Sequence, residues 1–239
     1  MSKYLDKPGK KLAVLLDPEK ISITELINIV QIASTGGIDF FLVGGSLVSK
    51  SVSEIVEVIK YYTTLPVILF PGNTNQITPK ADATFFLSLI SGRNPEFLIG
   101  NHVVAAPIIK KMDLETIPVG YILVNCGQTT SVEYMSDTKP IPYSKIDIAV
   151  ATAMAGEMLG LKAIYLEGGS GADKTVSPQM ISEVRANTNI PLIVGGGIRN
   201  AQSLTEVYKA GADIAVIGTI IEEHPASLPQ FVAAKLQFA

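Results

Sequence analysis

Tyr165-Leu166-Glu167-Gly168-Gly169-Ser170-Gly171-Ala172 is the stretch on which the fold turns. It starts as a strand, apolar or aromatic from Ala163 to Leu166, and breaks into glycines. Successive strand side chains alternate sides, so Tyr165 and Glu167 point one way while Ile164 and Leu166 point the other. An acid at the carboxyl end of a strand, followed by glycine-freed backbone N–H groups, suits an anionic substrate whose hydroxyl must lose a proton. The plainer alternative is a tight strand-to-helix turn with a solvated acid. Further glycine clusters at 195–197 and 218 favour the first reading.

Working outward, short apolar runs alternate with segments of helical spacing. Strands are expected at 12–17, 39–44, 66–70, 83–90, 117–124, 163–167, 190–194 and 213–217. Helices are expected at 23–33, 52–62, 94–112, 146–161, 178–187, 203–209 and 228–236. In 52–62, for example, Ile55, Val56, Ile59 and Tyr62 recur at three- and four-residue steps. Continuous apolar runs fit strands covered on both faces. Eight of them, mostly separated by helices, predict a parallel sheet closed into a (β/α)₈ TIM barrel of the α/β class. The third helix is missing. In its place Gly72, Asn73, Asn75, two threonines and Pro79 predict an irregular loop over 72–80. No linker, low-complexity tract or charge block marks a second domain, so residues 1–239 read as one barrel. An open doubly wound sheet is the rival, but it would want a glycine-rich turn where this chain has Asp17-Pro18-Glu19-Lys20.

Composition narrows the function. The chain has 239 residues, 47% hydrophobic and 17% charged, with a formal net charge of −3 and no basic cluster, which argues against nucleic acid. The single cysteine, Cys126, rules out an internal disulfide and fits a reducing, cytoplasmic setting. Residues 1–11 lack a signal-peptide core. The apolar stretch 146–161 carries Asp147 and Glu157, too interrupted for a membrane span.

Barrel active sites lie at the carboxyl ends of the strands. Those ends here are Asp17, Gly44-Gly45-Ser46, Pro71-Gly72-Asn73, Asn125, residues 167–171, Gly195-Gly196-Gly197 and Gly218-Thr219. Glycine-rich ends on strands six, seven and eight predict a phosphate site built from backbone N–H groups; the competing reading is steric, glycines closing turns. Asp17 shares a side with Ala13 and Leu15, so it faces the barrel mouth as a ligand for a hard cation, with Ser46 next door as a second oxygen. A helix N-cap role is the alternative for Asp17. Asp82 and Asp213 sit at strand starts, where barrel residues serve stability. Lys20, Lys174 and Arg199 follow strand ends and offer charge to a substrate, or are solvated. His102, His224 and Cys126 have no metal-spaced or catalytic partner in sequence.

Six ordered motifs, Asp17-Pro18-Glu19-Lys20, Gly44-Gly45-Ser46-Leu47, Phe70-Pro71-Gly72-Asn73, 88–95, 165–172 and 194–199, resemble the geranylgeranylglyceryl phosphate synthase family over nearly the whole chain. The resemblance implies a modified barrel lacking its third helix. It implies magnesium-dependent transfer of a prenyl group from a prenyl diphosphate, geranylgeranyl diphosphate, to the 3-hydroxyl of sn-glycerol 1-phosphate. By likeness, Asp17 and Ser46 match the magnesium positions. Tyr165, Leu166, Glu167, Gly168, Gly169, Ser170, Gly171, Gly196, Gly197, Gly218 and Thr219 match the glycerol-phosphate positions, with Glu167 as base and Tyr165 positioning the glycerol. A homo-oligomer, dimer or hexamer, is implied too, touching membranes only through its lipid substrate or product. A related branch prefers a heptaprenyl donor; the Gly169-Ser170-Gly171 loop is more similar to the geranylgeranyl branch. The Asp-Asp-x-x-Asp motifs of chain-elongating prenyltransferases are absent. Phosphosugar isomerases, flavin-dependent oxidoreductases and non-catalytic phosphate-binding barrels remain the alternatives at this stage.

Overall fold

The computed structural model describes residues 2–5 and 9–238. Eight parallel strands, β1 (Lys11–Leu16), β2 (Phe40–Val43), β3 (Val67–Leu69), β4 (Ala83–Leu89), β5 (Glu115–Leu123), β6 (Ala163–Glu167), β7 (Leu192–Gly195) and β8 (Ile214–Ile217), pair in chain order. β8 returns to β1, with Ala13 opposite Val216 on one side and Phe40 on the other, so the barrel is closed. Alternation divides each strand between two apolar layers. Ala13, Phe40, Leu42, Ile68, Phe85, Val119, Tyr121, Tyr165, Ile193 and Val216 fill the interior. Leu12, Val14, Leu16, Phe41, Val43, Ile164 and Leu166 pack outward under the helices. Both layers exclude water, which explains why the strands read as unbroken apolar runs rather than as alternating ones.

The outer ring comprises α1 (Ile23–Gly36), α2 (Val52–Tyr62), α3 (Asn101–Met112), α4 (Ser131–Ser136), α5 (Ile146–Met158), α6 (Pro178–Asn187), α7 (Ala201–Lys209), α8 (Thr219–Glu223) and α9 (Leu228–Leu236). Local chemistry sets several of their ends. Ser22 and Glu25 form a capping box on α1, and Gly37 ends it in the left-handed region at φ 91°. Ser177 caps α6, with Pro178 in its first turn. The segment expected to be helical from 94 begins instead with one wide turn, Glu96–Gly100, before α3 takes over. α5 stops at Met158, three residues short of expectation, and α4 and α8 have no counterpart among the expected helices.

Between β3 and β4 the chain makes only a single 3₁₀ turn, Thr74–Gln76, so the expected loop replaces the third helix. One residue staples it down. The buried Gln76 side chain donates from Nε2 to the Gly45 carbonyl (2.7 Å) and accepts the Gly45 N–H at Oε1 (3.2 Å). Gly44 and Gly72 permit the close approach: a Cβ on Gly44 would lie 2.1 Å from the Phe70 carbonyl oxygen, and one on Gly72 2.4 Å from that of Gly45.

The amino-terminal rim carries a repeated device. Asp39, Asp82 and Asp213 each accept a backbone N–H from the preceding strand, of Leu12 (2.8 Å), Val67 (2.8 Å) and Leu192 (2.9 Å). Each carboxylate is also held by a cation: Lys235, Lys60 and Arg185. The stabilising role expected of Asp82 and Asp213 therefore has a geometric basis, and Asp39 joins them. Among the described residues no helix is long and apolar enough to cross a membrane.

Candidate active site

A cavity of about 680 Å³ opens at the carboxyl ends of the strands. It brings together Asp17, Ser46, Tyr165, Glu167, Gly169, Ser170, Gly171, Gly196, Gly197, Gly218 and Thr219. Two residues of the expected set do not line it. Leu166 is fully buried in the outer layer, as its place in the alternation requires, so its side chain cannot reach a ligand. Gly168 spends its N–H on the Gly195 carbonyl (2.9 Å). Asn125 likewise holds the Gly127 amide (3.2 Å).

The β1 end is a tight turn. Asp17 Oδ1 accepts the Glu19 N–H (3.0 Å) and its carbonyl accepts that of Lys20 (3.0 Å), with Pro18 pre-setting the bend. Asp17 does not cap a helix; Ser22 caps α1. A Cβ on Gly45 would come within 3.0 Å of the Asp17 carboxyl atoms, so glycine leaves that carboxylate uncovered on this side of a cavity that Ser46 also lines. The backbone N–H of Asp17 is held by Glu222 Oε1 (2.9 Å) from α8. Burial raises the Glu222 pKa, opposed by the Asp17 N–H and the charge of Lys20. Sequence reasoning missed Glu222, because a five-residue helix shows no periodicity from which to infer it.

Glu167 ends β6 facing the interior and is 5% exposed. Its Oε1 accepts the Gly169 N–H (2.6 Å). Burial raises its pKa, while that amide and the neighbouring Tyr165 and Tyr121 hydroxyls pull the other way. The Tyr165 hydroxyl closes no hydrogen bond with the protein although it is fully buried. Gly195 makes room for it, since a Cβ there would lie 2.2 Å from that oxygen. At Gly196, with φ 82°, a Cβ would meet the Gly169 nitrogen (2.6 Å) and Glu167 Oε1 (2.7 Å). The glycines thus serve sterics and leave amides open together: among the described residues the N–H groups of Ser170, Gly171, Gly197 and Thr219 take no partner from the chain. Tyr121, which faces Tyr165 at 5.4 Å between ring centroids, was not singled out by the sequence.

The other polar candidates separate cleanly. Arg199 braces the glycine loop by donating to the carbonyls of Gly171 (3.1 Å) and Ala172 (2.9 Å). Lys20 Nζ donates to Ser170 Oγ (2.8 Å). Lys174 lies over the Tyr143 ring, 3.6 Å from its centroid, outside the cavity lining. Cys126 is buried and its thiol is pushed up to about 12 by burial and by the nearby Glu167 charge, so it offers no thiolate. His102 pairs with Ser88 Oγ (3.0 Å), and its ring meets Phe86 edge-on. His224 stands on the cavity wall. Among the described residues no three His, Cys, Asp or Glu side chains gather as a metal cluster.

Beside the main cavity, where the third helix is absent, a slot of about 110 Å³ runs between the 72–77 loop and α3. Phe85, Phe86, Leu87, Leu89, Phe97, Ala105 and Ile109 make it apolar. It shares Gly45, Ser46, Phe70, Tyr121 and Val132 with the main cavity, so the two adjoin along a common wall.

Open amides beyond β6, β7 and β8, converging with a buried acid at the strand ends, place this chain among the (β/α)₈ barrel enzymes. Comparison with known proteins gives the particular family. The family model described as PcrB matches residues 8–235. The geranylgeranylglyceryl phosphate synthase of Spirosoma linguale is 49% identical over 230 residues, 96% of this chain and 92% of that protein. That of Zunongwangia profunda is 51% identical over 214 residues, 89% of this chain and 91% of that one. The crystal structure of (S)-3-O-geranylgeranylglyceryl phosphate synthase from Thermoplasma acidophilum, in complex with sn-glycerol-1-phosphate, superposes with a TM-score of 0.91 at 35% identity, covering 96% of this chain and 94% of that one. The chain belongs to the PcrB family of geranylgeranylglyceryl phosphate synthases.

Proposed function

We infer that this chain is a prenyltransferase of ether-lipid synthesis. It joins the geranylgeranyl group of geranylgeranyl diphosphate to the 3-hydroxyl of sn-glycerol 1-phosphate and releases diphosphate. The observation that carries this reading is the common wall of the two cavities at Ser46, Phe70 and Tyr121, which sets an apolar slot beside a polar pocket of open amides. A phosphosugar isomerase, whose substrate is polar throughout, has no use for that slot.

In this reading glycerol phosphate docks on the amides of Ser170, Gly171, Gly197 and Thr219, with the loop held in shape by Arg199. The otherwise unpartnered Tyr165 hydroxyl takes up the glycerol and orients it toward Glu167. The prenyl chain lies along the slot. The allylic C–O bond to diphosphate breaks, its electron pair leaving with the diphosphate, and the glycerol oxygen bonds to the allylic carbon. Glu167 receives the hydroxyl proton, a contribution of about 10²–10⁴-fold. Its raised pKa makes it a stronger base than a solvated carboxylate.

Magnesium fits the β1 end. Asp17 and Ser46 are hard oxygen donors, Gly45 leaves the carboxylate uncovered, and this cation usually takes few protein ligands alongside water and substrate phosphate. When bound there it stabilises charge on the departing diphosphate, an effect of several kcal/mol. The reading also places the enzyme in the cytoplasm as a homo-oligomer. Support comes from the lone buried Cys126, which needs no oxidising compartment, and from Ile99, Val103, Val104 and Ile108, which leave apolar surface exposed around α3.

Incubation of the purified chain with labelled sn-glycerol 1-phosphate, geranylgeranyl diphosphate and magnesium is expected to yield an organic-extractable ether. Recovery of unchanged glycerol phosphate would reject the reading. Tyr165→Phe supplies a second check. The Tyr165 hydroxyl lies beside Glu167 without closing a hydrogen bond, so its removal should change the melting temperature of the unliganded variant little. The KM for glycerol phosphate should rise about tenfold, the worth of one hydrogen bond to a polar ligand. An unchanged KM would remove Tyr165 from the glycerol site.

A further inference from the structure

We propose that Lys20 is a substrate-binding residue that couples the two anion sites, its ammonium bridging diphosphate and glycerol phosphate so that each ligand tightens the other. This rests on the transferase reading above. The turn that opens at Asp17 fixes Lys20 three residues on, at the rim of the cavity. From there Nζ reaches both ends of the site. It lies 3.8 Å from Asp17 Oδ2 on the β1 side and 2.8 Å from Ser170 Oγ on the β6 side. Ser170 Oγ in turn stands 3.3 Å from Thr219 Oγ1 on the β8 side. No other cation on the cavity wall spans these elements, among the described residues, because the Arg199 guanidinium is committed to two loop carbonyls.

The charge balance of the wall makes that position consequential. Asp17, Glu19, Glu167, Glu222 and Glu223 all line the cavity, whose ligands in this reading are a phosphate and a diphosphate. Two anions brought side by side repel each other, and a cation between them converts part of that repulsion into attraction. Lys20 is free to take this part. Its present partners are a neutral hydroxyl and a long ion pair whose side chains are 46% and 21% exposed, and neither holds an ammonium strongly. A hydrogen bond from an ammonium to a phosphate oxygen is charge-assisted and stronger than the bond to Ser170 that it replaces.

Calorimetry on the purified full-length chain tests this by titrating sn-glycerol 1-phosphate with and without saturating inorganic diphosphate and magnesium. In the native chain the second ligand should tighten the first by about tenfold, within the usual range of such couplings. Lys20→Met should abolish that gain and weaken diphosphate binding in its own right, while Lys20→Arg restores part of it. Ser170→Ala breaks the Lys20–Ser170 bond but keeps the charge; it should weaken glycerol phosphate and leave the gain intact. If Lys20→Met retains the full gain, or Ser170→Ala loses it, Lys20 only positions the loop and the proposal falls. Ether formation by the native chain is read separately. No gain with product formed overturns the coupling alone, and no product overturns the transferase reading on which it rests.

Discussion

Asp17→Ala is expected to lower turnover by at least about 10³-fold while leaving the affinity for glycerol phosphate, measured without diphosphate, within about threefold of native. The two anions are assigned to different strand ends: Asp17 closes β1, whereas the open amides follow β6, β7 and β8. Removing the carboxylate takes away the charged oxygen of the proposed magnesium site and leaves Ser46 alone, too little to hold a hard cation against water. It also breaks the Asp17 Oδ1 bond to the Glu19 amide, a local cost of about 1 kcal/mol that loosens the turn. Asp17→Asn separates the two effects, because an amide oxygen keeps the turn and lacks the charge. Both variants should lose magnesium-dependent turnover, and only Asp17→Ala should melt lower. Calorimetry showing lost glycerol-phosphate affinity together with retained magnesium-dependent turnover would overturn the assignment.

How far the sequence could be read depended on how local each feature is. Strands buried on both faces show as unbroken apolar runs, and the missing third helix shows because Gly72, Asn73 and Pro79 oppose one; both are local signals. The inward aim of Tyr165 and Glu167 follows from alternation along a single strand, and the interior layer bears it out. Tyr121 lies beside them only because Tyr121 on β5 pairs in register with Tyr165 on β6, and register is not written in either strand alone. Glu222 reaches the Asp17 amide from 205 residues away, through a helix too short for its spacing to be recognised. The Gln76 staple is similar: a lone glutamine in a loop carries no sign that both its amide atoms will close on Gly45. Leu166 is a different case. Likeness carried it into the site as part of a contiguous stretch, whereas alternation turns its side chain to the outer layer.

Glu167→Gln is expected to reduce turnover by about 10²–10⁴-fold, about 3–5 kcal/mol in the barrier, without unfolding the protein. The substitution keeps the size of the side chain, and the glutamine Oε1 can still accept the Gly169 N–H that shapes the loop. Glycerol phosphate should therefore dock normally, and diphosphate should still bind at the β1 end. What disappears is the proton acceptor, so the oxygen attacking the allylic carbon keeps its proton for longer. Ionisation of the donor does not need Glu167, so water should capture part of the allylic cation and release prenyl alcohol in place of ether. pH gives an independent sign. The native rate should fall on the acid side as the carboxylate protonates, at a pH above that of an ordinary glutamate because burial raises its pKa, and the variant should lack that limb. Stability runs the other way. A folded-state pKa above the unfolded one means that the fold prefers the protonated form, a contribution present at low pH and lost as pH rises through the folded value. Above the folded value the ionised Glu167 is a cost, and a neutral glutamine should there leave the melting temperature equal or higher. A solvated turn acid predicts instead nearly normal rates and a stability change within about ±0.5 kcal/mol. A folded Glu167→Gln enzyme retaining more than about a tenth of native turnover at saturating substrates would exclude the general-base role.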